Sequence, residues 1–117
     1  MNATQVDFQQ IRIKHILFKS KVRSVLYGGK KDNAFFALEG PINTWFNTIG
    51  LIRYGETSEM RALAAVQKEL NATAALLFSL YDSGKIEQSL QGLEQVEANS
   101  VQFLKLLNQL EEKLKDK

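Results

Sequence analysis

From Ile86 to Leu114 the chain places Ile86, Leu90, Leu93, Val96, Ser100, Phe103, Leu107, Leu110 and Leu114 at spacings of three and four without a break. Residues so spaced share one face of an α-helix. An apolar face of that length has to be covered by other helices, so this one segment already requires a helical bundle. The partners are legible upstream. From Thr4, an N-cap candidate, to Tyr27, the residues Phe8, Ile11, His15, Phe18, Val22 and Val25 form a second stripe, which Gly28 and Gly29 end. The KKDN that follows reads as a solvated connection, and NAFFAL is compatible with an extended segment too short to change the class. PINTWFNTIGLIRYG predicts a shorter helix with Pro41 in its first turn, Gly50 weakening its interior and Gly55 closing it. A third long helix, capped by Thr57 or Ser58, carries Leu63, Gln67, Leu70, Ala74, Leu77 and Tyr81 on its stripe, with Met60, Ala64, Asn71 and Phe78 on the shoulder, and stops at DSGK. The expectation is an all-α chain: one domain over 1–117, an antiparallel four-helix bundle of three long helices and one short helix.

Composition narrows the chemistry. A chain of 117 residues can bury a core without covalent staples. Its net charge of +2, with both signs interleaved, makes no case for nucleic acid. The absence of cysteine removes disulfides, thiolate ligands and thiol redox chemistry. No window approaches the roughly 20 apolar residues of a membrane span, so no membrane insertion is expected. MNATQVDFQQ lacks the basic start and apolar run of a secretory signal, which points to a cytoplasmic protein and makes the N-A-T triplets at Asn2 and Asn71 chance matches to a glycosylation pattern. GGKKD lacks the spacing of a phosphate loop, and His15 has no nucleophile arranged with it. The carboxylates of EQVE and QLEEKLKDK fall on outward faces and read as solvated surface. No enzyme is expected.

What remains are polar residues on apolar stripes: His15, Gln67, Asn71 and Ser100. Gln67 and Asn71 lie one turn apart and look the same way. Metal sites in bundles are commonly built from side chains at i and i+4 plus ligands from facing helices, and here amides occupy that geometry.

Three segments together resemble the CZB (chemoreceptor zinc-binding) domain family. KHILFKSKVRSVLYG is similar to its opening motif through His15 and Phe18. GPINTW is similar to its second, with Ile42 and Trp45 at the large apolar and tryptophan positions, Gly40 where the family has cysteine and Asn43 where it has glycine. QKELN stands where the family has a pair of histidines, so Gln67 and Asn71 take their places, and the tail after DSGK resembles the last helical pair. The resemblance covers about residues 8 to 114. It implies the family's bundle with one of four zinc ligands kept, His15, and zinc binding lost, so no cofactor is expected; Glu39 is the one carboxylate beside Gly40. His15, Gln67 and Asn71 can satisfy one another without metal, which predicts His15 within hydrogen-bonding reach of one of the amides.

The resemblance further implies a regulatory or interaction module of bacterial signal transduction, related to chemotaxis or cyclic di-GMP. Its implied partners are a second copy, giving a homodimer, and a chemoreceptor or cyclase signalling protein. Ile13, Leu17 and Leu26 on the outward face of the first helix, and the run NTWFNTIGLIRY, are candidate contact surface. The alternative is a sensor of a small ligand, or of weakly bound zinc, using the degenerate site.

Overall fold

The first helix starts earlier than the apolar pattern suggests. Asn2, not Thr4, caps α1 (Ala3–Leu26): its side chain accepts from the Gln5 amide at 2.9 Å, and the Gln5 side chain accepts from the Asn2 amide at 3.0 Å. This reciprocal capping box satisfies two end-group donors at once, which a threonine two residues further on does not. At the other end Gly28 adopts φ of 95°, the left-handed conformation that costs other residues a Cβ clash. The Gly28 amide then donates to Val25 O at 3.0 Å and the Gly29 amide to Ser24 O at 2.8 Å, closing the helix. Leu26, expected on the outward face, is instead buried, because it lies one turn beyond Val22 on the core side.

The computed structural model describes residues 2–115, and among them every regular element is helical. The NAFF segment forms a single turn, α2 (Asn33–Phe36), with the Asp32 side chain accepting from the Phe35 amide at 3.1 Å. Phe36 sets this conformation, lying edge-on between Phe18 at 5.6 Å and Phe78 at 5.0 Å. An extended segment is thereby replaced by a turn that delivers an aromatic ring to the core.

The short helix is not uniform. α3 (Pro41–Trp45) opens with Pro41 in its first turn, widens to a π-helical stretch over Phe46–Gly50, and resumes as α4 (Leu51–Tyr54). Gly50 is required here because a Cβ would lie 2.5 Å from the Trp45 ring, which is itself buried against Phe46. Gly50→Ala is accordingly expected to lower stability by about 1–3 kcal/mol through overpacking. The chain's single tryptophan offers the readout, since urea melts followed by Trp45 fluorescence would register both the loss and the displaced ring.

α4 is fastened back to the start of α1. Asp7 Oδ2 accepts from Arg53 Nη1 at 2.8 Å and from the Tyr54 hydroxyl at 2.6 Å, and the Tyr54 ring packs 4.9 Å from Phe8. A nearly buried carboxylate needs such partners. Burial first, and then the hydrogen bond to Asp7, raise the Tyr54 phenol above its ordinary value.

Thr57 caps α5 (Ser58–Asp82), accepting from the Met60 amide at 3.2 Å, and Gly84 ends it at φ of 83°. The last stripe is broken into α6 (Ile86–Gln91) and α7 (Leu93–Leu114) around Gly92, which stands against the Leu77 side chain. Ile86 is exposed and Ser89 buried, while Leu90 and Leu93 lie half-buried against the core, so the expected stripe fails at Ile86 and holds from Leu90 onward. The core joins Phe8, Ile11 and Phe18 of α1, Trp45 of α3, Leu70 of α5 and Phe103 of α7. Across it, Arg12 pairs with Glu111, Lys19 with Glu97 at 2.9 Å and Lys113 with Glu59 at 3.1 Å. These pairs are solvent-exposed and contribute orientation more than stability. No helix among the described residues is long and apolar enough to cross a membrane.

Candidate functional site

The apolar stripe of α1 brings His15 to the interior, where it is 0% exposed. Its ring stacks on Phe103 of α7, with centroids 4.2 Å apart and planes within 5°. Its Nε2 stands 2.7 Å from the Ser100 hydroxyl, so two polar residues from different stripes meet in one core. The hydrogen bond expected between His15 and Gln67 or Asn71 is not made. Ser100 takes its place because the α7 stripe presents a hydroxyl one helical turn before Phe103.

The imidazole is neutral at pH 7. Burial, the largest cause, acts together with the positive charges of Lys19 and Arg12 and against the negative charge of Glu97 to bring its pKa from 6.5 down to about 4. Desolvation dominates because the charged ring would leave water altogether.

Gln67 and Asn71 do come together. Gln67 Nε2 donates to Asn71 Oδ1 at 2.9 Å, and Asn71 Nδ2 donates to Asn43 Oδ1 at 3.2 Å. Gln67 is buried and Asn71 lies at the rim, so the amide chain runs from the core of α5 outward to α3. Asn43 was legible only as a departure from the second motif. Beside Asn71 a cleft of about 80 Å³ is lined by Phe36, Ala74 and Phe78, with Lys31 at its mouth.

Gly40 caps α3 and is closed in: a Cβ there would press on the Phe35 carbonyl and lie 2.9 Å from that of Ala37. Any larger residue would have to push backbone aside. Glu39 next to it is exposed. Phe18, Ile42 and Trp45 are all buried in the core, as their apolar character demands.

These side chains do not fit a zinc ion. Tetrahedral zinc takes thiolate, imidazole or carboxylate, whereas here one imidazole is engaged by a serine, two positions are amides bonded to each other, and the fourth has no room for a side chain. No group of three or more His, Cys, Asp or Glu suited to a metal occurs among the described residues. Among the described residues three buried polar atoms have no protein partner: His15 Nδ1 on α1, Trp45 Nε1 on α3 and Gln67 Oε1 on α5. One acceptor, one donor and one atom of either role are thus left in the interior.

No family model, curated protein or solved structure matches the chain.

Proposed function

We propose that the chain is a degenerate relative of the CZB domain, a cytoplasmic, metal-free and non-catalytic module of bacterial signal transduction, serving chemotaxis or cyclic di-GMP signalling. It acts by pairing with a second copy or by binding a chemoreceptor or cyclase. Its helices alternate in direction as an antiparallel four-helix bundle, with α3 to α4 as the short member. The pairing of Arg12 near the start of α1 with Glu111 near the end of α7, and of Glu59 with Lys113, supports this alternation.

The observation that carries the metal-free reading is that every position of the expected ligand set is otherwise engaged or closed: Ser100 on the retained His15, Asn71 on Gln67, and a closed backbone at Gly40. Titration with zinc, followed by calorimetry and thermal melting, is expected to give neither heat nor a rise in Tm. One zinc per chain at near-micromolar affinity would raise Tm through linkage and would overturn the reading.

A sensor of a small polar ligand is the second reading. It is favoured by the unpartnered His15 Nδ1, Trp45 Nε1 and Gln67 Oε1, since buried polar atoms normally find partners.

A further inference from the structure

His15, Trp45 and Gln67 come from three different helices, and contacts elsewhere in the molecule fix how those helices are aligned. The start of α1 lies beside the start of α5, because Asp7 accepts from the hydroxyl of Tyr54 shortly before Ser58. Their ends also coincide: the Tyr81 hydroxyl of α5 is 3.8 Å from where a Cβ on Gly28 would stand. Counted back from that contact, His15 and Gln67 are each about four turns nearer the N-terminal ends, roughly 20 Å at ~1.5 Å per residue, and so share a level.

The amide chain brings Trp45 to the same level. α3 begins beside Asn71, through the 3.2 Å hydrogen bond to Asn43, and leads on through α4 to Tyr54 at the foot of α1. Trp45 lies about 3 Å below Asn43 along this path, and Gln67 about 6 Å below Asn71. α1 packs against both α3 and α5, and the three side chains are buried, with exposures of 0%, 2% and 2%. His15 Nδ1, Trp45 Nε1 and Gln67 Oε1 therefore border one polar spot in the core.

Ser100 decides the chemistry of that spot. Among the described residues its hydroxyl bonds only to His15 Nε2. A neutral imidazole carries one N–H. On Nε2 that proton would leave the Ser100 hydroxyl proton unpaired in the core; with Ser100 donating to Nε2, the proton sits on Nδ1. Two donors, His15 Nδ1–H and Trp45 Nε1–H, then stand with one acceptor, Gln67 Oε1. Two N–H groups repel a cation, and a buried amide oxygen repels an anion. Water accepts two hydrogen bonds while donating a third, and buried waters typically make about three. The cleft lined by Lys31, Phe36, Asn71 and Phe78 brings solvent within one helical turn of Gln67.

We infer that one water molecule is a fixed part of this core, accepting from His15 Nδ1–H and Trp45 Nε1–H and donating to Gln67 Oε1, so that it joins α1, α3 and α5. A single held water satisfies the imidazole without opening the core to solvent, so the ring stays desolvated against charge. The inference rests on the reading that these atoms take a small polar ligand, and it names that ligand.

NMR on the full chain tests it, since one histidine and one tryptophan give unambiguous signals. At pH 7 the imidazole nitrogen shifts are expected to report the Nδ1–H tautomer, and the Trp45 Nε1–H to show a cross-relaxation peak with water. Ser100→Ala should keep that peak, which excludes relay through the Ser100 hydroxyl. Gln67→Met, similar in shape but without the amide oxygen, should lose it with helical circular dichroism unchanged. Oxygen-17 relaxation dispersion on wild type needs no variant and should count at least one long-lived water. An Nε2–H tautomer, a peak that survives Gln67→Met, or no long-lived water overturns the water site while leaving the atoms to another ligand. A crystal structure in which Gln67 Oε1 accepts directly from both His15 Nδ1 and Trp45 Nε1 overturns the water and the ligand reading together.

Discussion

Acidification from pH 7 to pH 4.5 is expected to destabilise the protein by about 2–3 kcal/mol through His15 alone. The folded chain holds His15 near a pKa of about 4, whereas its ordinary value is 6.5. A group whose folded value is depressed takes up its proton more readily when the chain unfolds, so the contribution is complete above pH 6.5 and drains away as pH falls toward 4. Within that window the slope approaches about 1.4 kcal/mol per pH unit. Burial against Phe103 is the main cause, with Lys19 and Arg12 adding to it and Glu97 working against it. For a domain whose whole stability is on the order of 5–15 kcal/mol, this is a large fraction. His15→Gln keeps a polar group near Ser100 but cannot titrate. It should be less stable than wild type at pH 7 and should show a flattened profile between pH 6.5 and 4.5. Parallel profiles for the two proteins in urea melts would show that His15 is hydrated in the folded state. The chain's only histidine also gives an isolated imidazole resonance with which to follow the titration directly.

Phe103→Ala should cost about 3–5 kcal/mol, the largest loss anticipated from any single truncation near the site. The ring is fully buried, forms the stacking surface for His15 and sits at the middle of the α7 stripe. Removing it opens a cavity on the imidazole's face. Water entering that cavity would hydrate the ring, so the His15 titration should move back toward 6.5 in the mutant while overall stability falls. Phe103→Leu retains most of the volume and should cost about 1.5 kcal/mol or less. Equilibrium urea denaturation measures both changes. A loss below about 1 kcal/mol for the alanine variant is incompatible with a close-packed His15–Phe103 contact.

The features that could be read from the chain are those that a short stretch of residues settles by itself. Thr57 as a cap, the glycine stops after α1 and α5, and the core stripe from Leu90 onward all follow from interactions spanning one or two helical turns. The Gln67–Asn71 hydrogen bond belongs with them, because residues four apart on a helix must meet. The misplacements have one local cause and one tertiary cause. Asn2 outcompetes Thr4 through a capping box that includes Gln5, and NAFF curls into a turn because Phe36 is drawn between two distant rings. The apolar period gives no sign that the last helix divides into α6 and α7 at Gly92, since the spacing runs on across it and the Gly92 dihedrals stay in the helical region. The π-helical stretch at Phe46–Gly50 is invisible for a similar reason: the large Trp45 ring and small Gly50 could be recognised as a pair only after they were seen in contact.

By itself the sequence determined that this chain is helical, that four polar residues would be caught on apolar faces, and that cysteine chemistry was excluded. Periodicity, capping and composition act over a few residues and need no knowledge of the partner surface. Only the tertiary structure decided that His15 would meet Ser100, 85 positions away, rather than the amides, and that Asn71 would turn to Asn43, 28 positions away. It also decided that Asp7 would hold Arg53 and Tyr54. Those choices depend on the rotation and axial level of each helix against its neighbours, which the packing of large side chains such as Phe103, Phe36 and Trp45 sets for the whole assembly at once.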